Sequence, residues 1–224
     1  MIKAVLIDID NTLLDFNESA KESIKMAFFD YDLPFCDNTF PTFKRINDGL
    51  WLKIEKGELD RTGLHKIRFN LVLKELGIEF DGPTVEKRFL ENLFNVACPI
   101  EGAKDILEYL SSKYQVYAAS NAIYKQQINR LTKTGLIGYL KDLFISEKIG
   151  FQKPTKEFFD VCFSKMGNIT AKETVMIGDS LTADINGGKD YGMTTVWYNH
   201  DRSKKNSDKA DFKVERLKEI KNIL

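Results

Sequence analysis

Histidine and cysteine are scarce in this chain, neither sign of charge is in surplus, and no apolar run is long enough to span a bilayer. Among 224 residues there are 2 His and 3 Cys, and Cys36, Cys98 and Cys162 lie far apart with no Cys-x-x-Cys pair. That removes a zinc finger and a disulfide framework from consideration. The odd number of thiols suits a reducing compartment, so the expected location is the cytoplasm. Lys and Arg total 33 and Asp and Glu total 33, a formal net charge of zero. Without a bulk field to attract polyanions, neither a nucleic acid polymer nor a membrane is an expected partner. Met1 to Ile7 is too short an apolar run for a signal peptide and leads directly into Asp8 and Asp10. With 14 Gly, 5 Pro and 43 % hydrophobic residues, the composition is that of a packed globular protein. The length allows one substantial core and a second, smaller one.

Periodicity divides the chain. Ile2 to Ile7 is aliphatic at nearly every position, the pattern of a strand buried on both faces of a parallel sheet. From about residue 17 the period becomes helical, with Ser19 and Glu22 in a capping-box pattern and Ile24, Ala27, Phe28 and Tyr31 on one face. Further helices are predicted over 40–56, 63–76 and 84–95, separated by Gly57, Gly77 and Asp81-Gly82-Pro83. After Cys98-Pro99 helices and strands alternate. Strands are predicted at 115–119, 143–145, 174–177 and 194–197, with helices around Ile106 to Leu110, up to Gly135, and over 155–166 and 181–191. A polar loop over 201–209 precedes a last strand and a closing helix within 210–224. The fold class is therefore α/β: a parallel sheet between helical layers, interrupted after its first strand by an all-helical insertion. The boundaries read as 1–15 with 97–224 for the α/β part and 16–96 for the insertion. An insertion at the carboxyl end of a strand lies over the ligand-binding edge of such a sheet.

Acidic residues mark that edge. Asp8-Ile9-Asp10-Asn11-Thr12 follows the first strand, and two carboxylates two positions apart can divide nucleophilic and proton-transfer work. The same residues would also suit a solvated turn. Gly178-Asp179-Ser180-Leu181-Thr182-Ala183-Asp184 repeats the strand-then-acid context; Asp179 alone could simply cap a helix, but together the two loops supply hard oxygen donors suited to Mg²⁺. Ser120-Asn121 at the end of another strand offers a hydroxyl, an amide and backbone N–H groups to a phosphate. Lys153, followed by Pro154, is a cation able to balance the carboxylates and the incoming anion.

The order of these motifs, D-x-D-x-T, S-N, K-P and G-D-x-x-x-x-D, resembles the haloacid dehalogenase superfamily over essentially the whole chain. The resemblance implies a three-layer Rossmann-like core and a four-helix cap made by the insertion. It also implies roles. Asp8 would be the nucleophile forming an aspartyl-phosphate, and Asp10 the general acid and then base. Thr12 would support the loop, and Ser120 with Asn121 would bind the phosphoryl group. Lys153 would orient Asp8 and offset charge. Asp8, Asp179 and the Asp10 carbonyl would hold Mg²⁺, with Asp184 at or just outside that shell. Asp10 favours phosphatases over dehalogenases of this superfamily, because a departing alkoxide needs a proton and a halide does not. Hinges are expected near 14–17 and 96–100, letting the cap close and shelter the intermediate.

Within the superfamily, Asn47-Asp48-Gly49-Leu50-Trp51, Gly57-Glu58-Leu59, Arg68-Phe69 and Ile145 to Gly150 are similar to bacterial pyrimidine 5′-nucleotidases. That implies a nucleoside 5′-monophosphate substrate, with Asn47, Trp51 and Arg68 as candidate substrate contacts. Aromatics at helical spacing, Phe16, Trp51 and Phe69 among them, also suit a core, and Asn47 and Arg68 also suit a salt bridge or cap. The subgroup carries Thr-Asn-Gly at the second motif. Here the sequence is Ser120-Asn121-Ala122, which loses glycine's backbone freedom. A sugar-phosphate phosphatase, a phosphomutase and a non-catalytic phosphate-binding protein are alternative readings. Lys53 and Lys56 would be available for the Schiff base of the phosphonatase branch, although exposed helix lysines are ordinary. His65 and His200 show no partner spacing, and the cysteines are expected to pack as small hydrophobes.

Overall fold

The computed structural model describes residues 1–200 and 209–224, so most of the predicted polar loop at 201–209 lies outside the described residues. The chain divides into two compact units, Met1–Asp15 with Cys98–Leu224, and Phe16–Ala97.

The first unit is built on a six-stranded parallel sheet of order β3-β2-β1-β4-β5-β6. Its strands are β1 (Ala4–Ile7), β2 (Gln115–Ser120), β3 (Asp142–Ile145), β4 (Thr174–Gly178), β5 (Thr194–Tyr198) and β6 (Phe212–Val214). Alternation along β1 explains its continuous hydrophobicity. Val5 and Ile7 join Val116, Val175 and Val196 in a cluster with Ile106, Leu107 and Leu110 of α5 (Ala103–Ser111) and Leu131 of α6 (Tyr124–Lys133). Ala4 and Leu6 join Tyr117 and Met176 with Phe158, Phe159 and Cys162 of α8 (Lys156–Lys165). Both faces are covered, as a parallel central strand requires. The sheet changes direction at β1, with β2 on one side and β4 on the other, and their registers match Ile7 to Ala118 and to Ile177. The carboxyl ends of the strands therefore reach the same edge at the switch point, where ligands bind in open α/β sheets.

The second unit packs α1 (Phe16–Asp30), α2 (Thr39–Glu55), α3 (Arg61–Leu76) and α4 (Gly82–Asn95) around one apolar cluster. Phe43, Phe69 and Phe89 meet there with ring centroids 5.3–5.7 Å apart. Asp60 and Asp81 cap α3 and α4 by accepting from the backbone N–H groups of Gly63 and Thr84.

Several local expectations change. The Ser19/Glu22 pattern lies inside α1, which begins at Phe16, and buried Ser19 is no N-cap. The chain from 181 to 191 is not one helix: a six-residue π-helical turn, Leu181–Asn186, precedes the short α9 (Gly187–Asp190). The closing segment Leu217–Asn222 is 3₁₀ rather than α. A short α7 (Ser146–Ile149), which was not predicted, follows β3. Of the cysteines only Cys162 is buried; Cys36 is exposed in the turn before α2, where its thiol meets the Thr39 hydroxyl at 3.5 Å. Among the described residues no helix is long and apolar enough to cross a membrane.

Candidate active site

The loop after β1 is wound tightly. The Asp8 N–H continues the sheet by donating to the Ile177 carbonyl at 2.9 Å, and the Ile9 carbonyl accepts from Leu13 and Leu14 at 2.8 Å. Asn11 holds φ of 59°, a left-handed conformation that asparagine tolerates better than most residues. This winding returns the chain so that the Asp15 N–H meets the Cys98 carbonyl at 2.7 Å and the Ile100 N–H meets that of Leu13 at 2.9 Å. The two connections to the helical insertion are thus bonded to each other beside the loop that follows β1.

Lys153 ties three strand ends together. Its ammonium donates to Asp8 Oδ1 at 2.7 Å, Asp184 Oδ1 at 2.6 Å and the Ala119 carbonyl at 2.6 Å, so its three protons are all engaged. Burial alone would push the Lys153 ammonium down, but Asp184 and Asp8 outweigh it and hold the group above its ordinary value. Burial pushes the Asp8 carboxyl well above the ordinary carboxylate range; Lys153 pulls it down, and Asp184 and Asp179 push it up again. The lysine's backbone is itself held by Asn121, whose amide donates to the Lys153 carbonyl and accepts from the Lys153 N–H, both at 2.8 Å. Asn121 therefore anchors the Lys153 loop with both ends of its side chain.

Asp184 lies within the π turn. The Ile185 N–H reaches back five residues to the Ser180 carbonyl at 3.1 Å, and Asp184 Oδ2 accepts from the Ser180 N–H at 3.0 Å. A Cβ on Gly178 would lie 2.2 Å from Asp184 Oδ2, so only glycine leaves room for that carboxylate. A Cβ on Gly187 would lie 2.8 Å from the Pro154 side chain, so glycine is also needed where α9 packs beside the Lys153 loop. Trp197 donates its indole N–H to the Asp179 carbonyl at 3.1 Å, fixing the loop from below.

Asp8, Asp179 and Asp184 each offer a carboxylate oxygen, and these oxygens lie within 4.8 Å of one another. Three carboxylates, two of them paired with the same lysine, leave an excess of negative charge, and the donors are all hard oxygens. This set fits Mg²⁺. Both Asp184 oxygens also accept hydrogen bonds, Oδ1 from Lys153 and Oδ2 from the Ser180 N–H.

Asp10 belongs to a second network on the β2 side of the site. Its Oδ1 accepts from Arg130 Nη1 at 2.6 Å and its Oδ2 from Gln127 Nε2 at 2.6 Å. Gln127 Nε2 also reaches Ser120 Oγ at 3.2 Å, and Arg130 Nη1 reaches Gln127 Oε1 at 3.1 Å. Sequence reasoning missed Gln127 and Arg130. The signal available was two polar residues at i, i+3 on a helix starting just after Ser120, a pattern shared by countless solvent-facing helices. Thr12 is fully buried beneath the loop.

The three candidates in the helical insertion are placed differently. Asn47 and Arg68 are brought together, each 3 % exposed, with Arg68 Nη1 donating to Asn47 Oδ1 at 2.8 Å. The rest of the guanidinium is held by Glu86, through Nε at 3.1 Å and Nη2 at 2.5 Å, and it lies over the Phe89 ring at 4.8 Å. Trp51 is half-buried against the apolar cluster.

A family model described as haloacid dehalogenase-like hydrolase matches residues 2–192. The chain belongs to that family. It is 36 % identical to the HAD-hydrolase YfnB of Bacillus subtilis over 224 residues, 99 % of this chain and 95 % of that protein. A crystal structure of YfnB bound to magnesium, described as revealing interdomain movement, superposes with a TM-score of 0.94, covering 100 % of this chain and 98 % of that one. The pyrimidine 5′-nucleotidase PynA of Streptococcus pneumoniae is 33 % identical over 198 residues, 88 % of this chain and 84 % of PynA. The pyrimidine 5′-nucleotidase YjjG of Escherichia coli is 28 % identical over 221 residues, 98 % and 96 % respectively.

Proposed function

We propose that this hydrolase is a Mg²⁺-dependent phosphomonoesterase acting on a small phosphate ester, a nucleoside 5′-monophosphate, through an aspartyl-phosphate. The observation carrying this reading is the position of Asp10. It is two residues beyond Asp8 and linked through Gln127 to the hydroxyl of Ser120, so an acid/base group and a phosphate-binding group stand beside the nucleophile. A halide would leave without such an acid. The relatives PynA and YjjG, pyrimidine 5′-nucleotidases by name, direct the substrate towards nucleotides.

In this reading an Asp8 carboxylate oxygen attacks phosphorus, the ester P–O bond breaks, and Asp10 gives its proton to the departing oxygen. Water then adds to the phosphoryl group while Asp10 takes its proton back. The P–O bond to Asp8 breaks and inorganic phosphate leaves. Lys153 keeps Asp8 in line, Ser120 receives the phosphoryl oxygens, and Asn121 fixes the lysine loop. Mg²⁺, when bound, would supply charge neutralisation at the phosphoryl oxygens. The helical insertion serves as a cap that excludes water until the leaving group departs, pivoting at 14–17 and 96–100. The interdomain movement described for YfnB supports that role.

Phosphate release from a panel of nucleoside monophosphates, sugar phosphates and p-nitrophenyl phosphate tests the proposal. Release requiring Mg²⁺ and lost in Asp8→Asn is expected, with nucleotides preferred. Full activity in Asp8→Asn would overturn it, and a preference for sugar phosphates would overturn the nucleotide assignment.

A further inference from the structure

The buried polar groups of α6 stand outside the sequence motifs, and they are arranged in a way that packing does not explain. Arg130 is 1 % exposed and Gln127 is fully buried, yet both project polar atoms towards Asp10. A buried arginine retained for stability would be expected to satisfy its whole fork. Here Nε and Nη2 have no hydrogen-bond partner among the described residues, and the guanidinium donates through Nη1, to Asp10 and to Gln127. Two unsatisfied buried donors are a cost to folding. The arrangement is better explained by what Nη1 does.

From these contacts we infer that Arg130 and Gln127 are positioning residues for both Asp10 and Ser120. Resting on the phosphatase reading, the inference extends it to residues outside the three-carboxylate group.

The direction of each bond carries the argument. Arg130 offers only donors, so the Gln127 atom facing Nη1 is the carbonyl oxygen, which fixes the amide's orientation. Gln127 must then present its NH₂ to the other two partners. One N–H goes to Asp10 Oδ2 and the other to Ser120 Oγ. With Asp10 Oδ1 also held by Arg130, the carboxylate plane is set from both ends. Ser120, accepting from Gln127, keeps its own proton for an incoming phosphoryl oxygen. One guanidinium thus decides the amide's orientation, and the amide decides where the acid points and which way the serine donates.

Transfer to two esters tests this. An alkyl phosphate such as uridine 5′-monophosphate needs a proton delivered to its leaving oxygen, whereas p-nitrophenolate leaves without one. In single-turnover measurements with Mg²⁺, Gln127→Met and Arg130→Met should slow phosphorylation by the nucleotide about 10²-fold or more, following Asp10→Asn. The p-nitrophenolate burst should stay within about tenfold of wild type, since the acid is not needed there. Arg130→Lys should recover part of the loss. Combining Arg130→Met with Asp10→Asn should add little to Asp10→Asn alone. Gln127→Met should also raise the inhibition constant of inorganic phosphate about fivefold, the value of one oriented hydrogen bond. Should Arg130→Met fail to fold, the uncharged Gln127→Met carries the same test. Equal losses on both esters, or none on either, would overturn the inference while leaving the phosphatase reading intact. A wild-type protein that releases phosphate from neither ester would overturn both.

Discussion

Each of the two units contains a buried charged cluster, and the two clusters are composed in opposite ways. In the helical insertion, Arg68 faces Glu86 through two bonds, donates a third to Asn47, and lies across aromatic rings; His65 adds a 2.7 Å contact to the same glutamate. One cation meets one carboxylate, and the partners are mutually occupied. In the α/β unit, Lys153 faces Asp8 and Asp184 with Asp179 beside them, and the Asp8 carboxyl is pushed upward by burial and by its acidic neighbours. In the first cluster the guanidinium and the carboxylate offset each other. The second is one cation short, and that deficit distinguishes a place for chemistry from a buried ion pair that shapes a helix bundle.

The comparison can be broken at several points. The largest effect should come from Asp8→Asn, which removes the attacking oxygen: turnover should fall by about 10⁴-fold or more, with the melting temperature unchanged or raised because a carboxylate has left a crowded group. Phosphate release and a thermal melt read both. Lys153→Met should abolish turnover and also cost about 3–5 kcal/mol in chemical denaturation, because it leaves buried carboxylates without their lysine. Arg68→Met should cost a similar amount by stranding Glu86, whereas Arg68→Met with Glu86→Leu should return stability close to that of wild type. If the paired replacement stays as unstable as the single one, the insertion's cluster is not the self-contained pair described here. Mg²⁺ at about 100 times its Kd should stabilise the protein by about 2.7 kcal/mol over a chelator-treated sample. The Arg68→Met/Glu86→Leu protein should show the same increment, since its changes belong to the helical unit and the three carboxylates to the α/β unit. Gly178→Ala should cost about 1–3 kcal/mol by crowding Asp184, weakening the Mg²⁺ increment with it.

Most of the sheet was legible in the sequence because a strand buried on both faces has few alternatives. Val5 and Ile7 serve one layer, Ala4 and Leu6 the other, and the unbroken aliphatic run follows. The site's acids were legible because they stand at strand ends, where polar side chains after apolar runs are conspicuous. What escaped was polar chemistry inside helices. Gln127 and Arg130 look like the outer face of α6 until the fold turns them inward. Arg68 and Asn47 lie 21 positions apart on separate helices, and their meeting depends on how α2 packs on α3. Asn121 was placed correctly at the strand end, but the spacing gave no hint that its amide would clasp the Lys153 backbone. The π turn was invisible for another reason. Hydrophobic period locates a helix but does not register a single residue of extra winding, so 181–191 read as one continuous element.

That turn has a consequence for how the chain tolerates change in length. Along an α-helix each residue advances the side-chain direction by about 100°. Asp184 faces Lys153 from within this segment, where the Ser180 carbonyl accepts from both the Asp184 and the Ile185 N–H groups. Deleting one residue within 181–183 would let the segment relax into an ordinary helix, locally comfortable and better bonded, with its carboxylate swung away from the ammonium it serves. The segment's most regular conformation is therefore the one in which the site is lost. Insertions and deletions should be better accepted in the surface turns between strands than across these few positions.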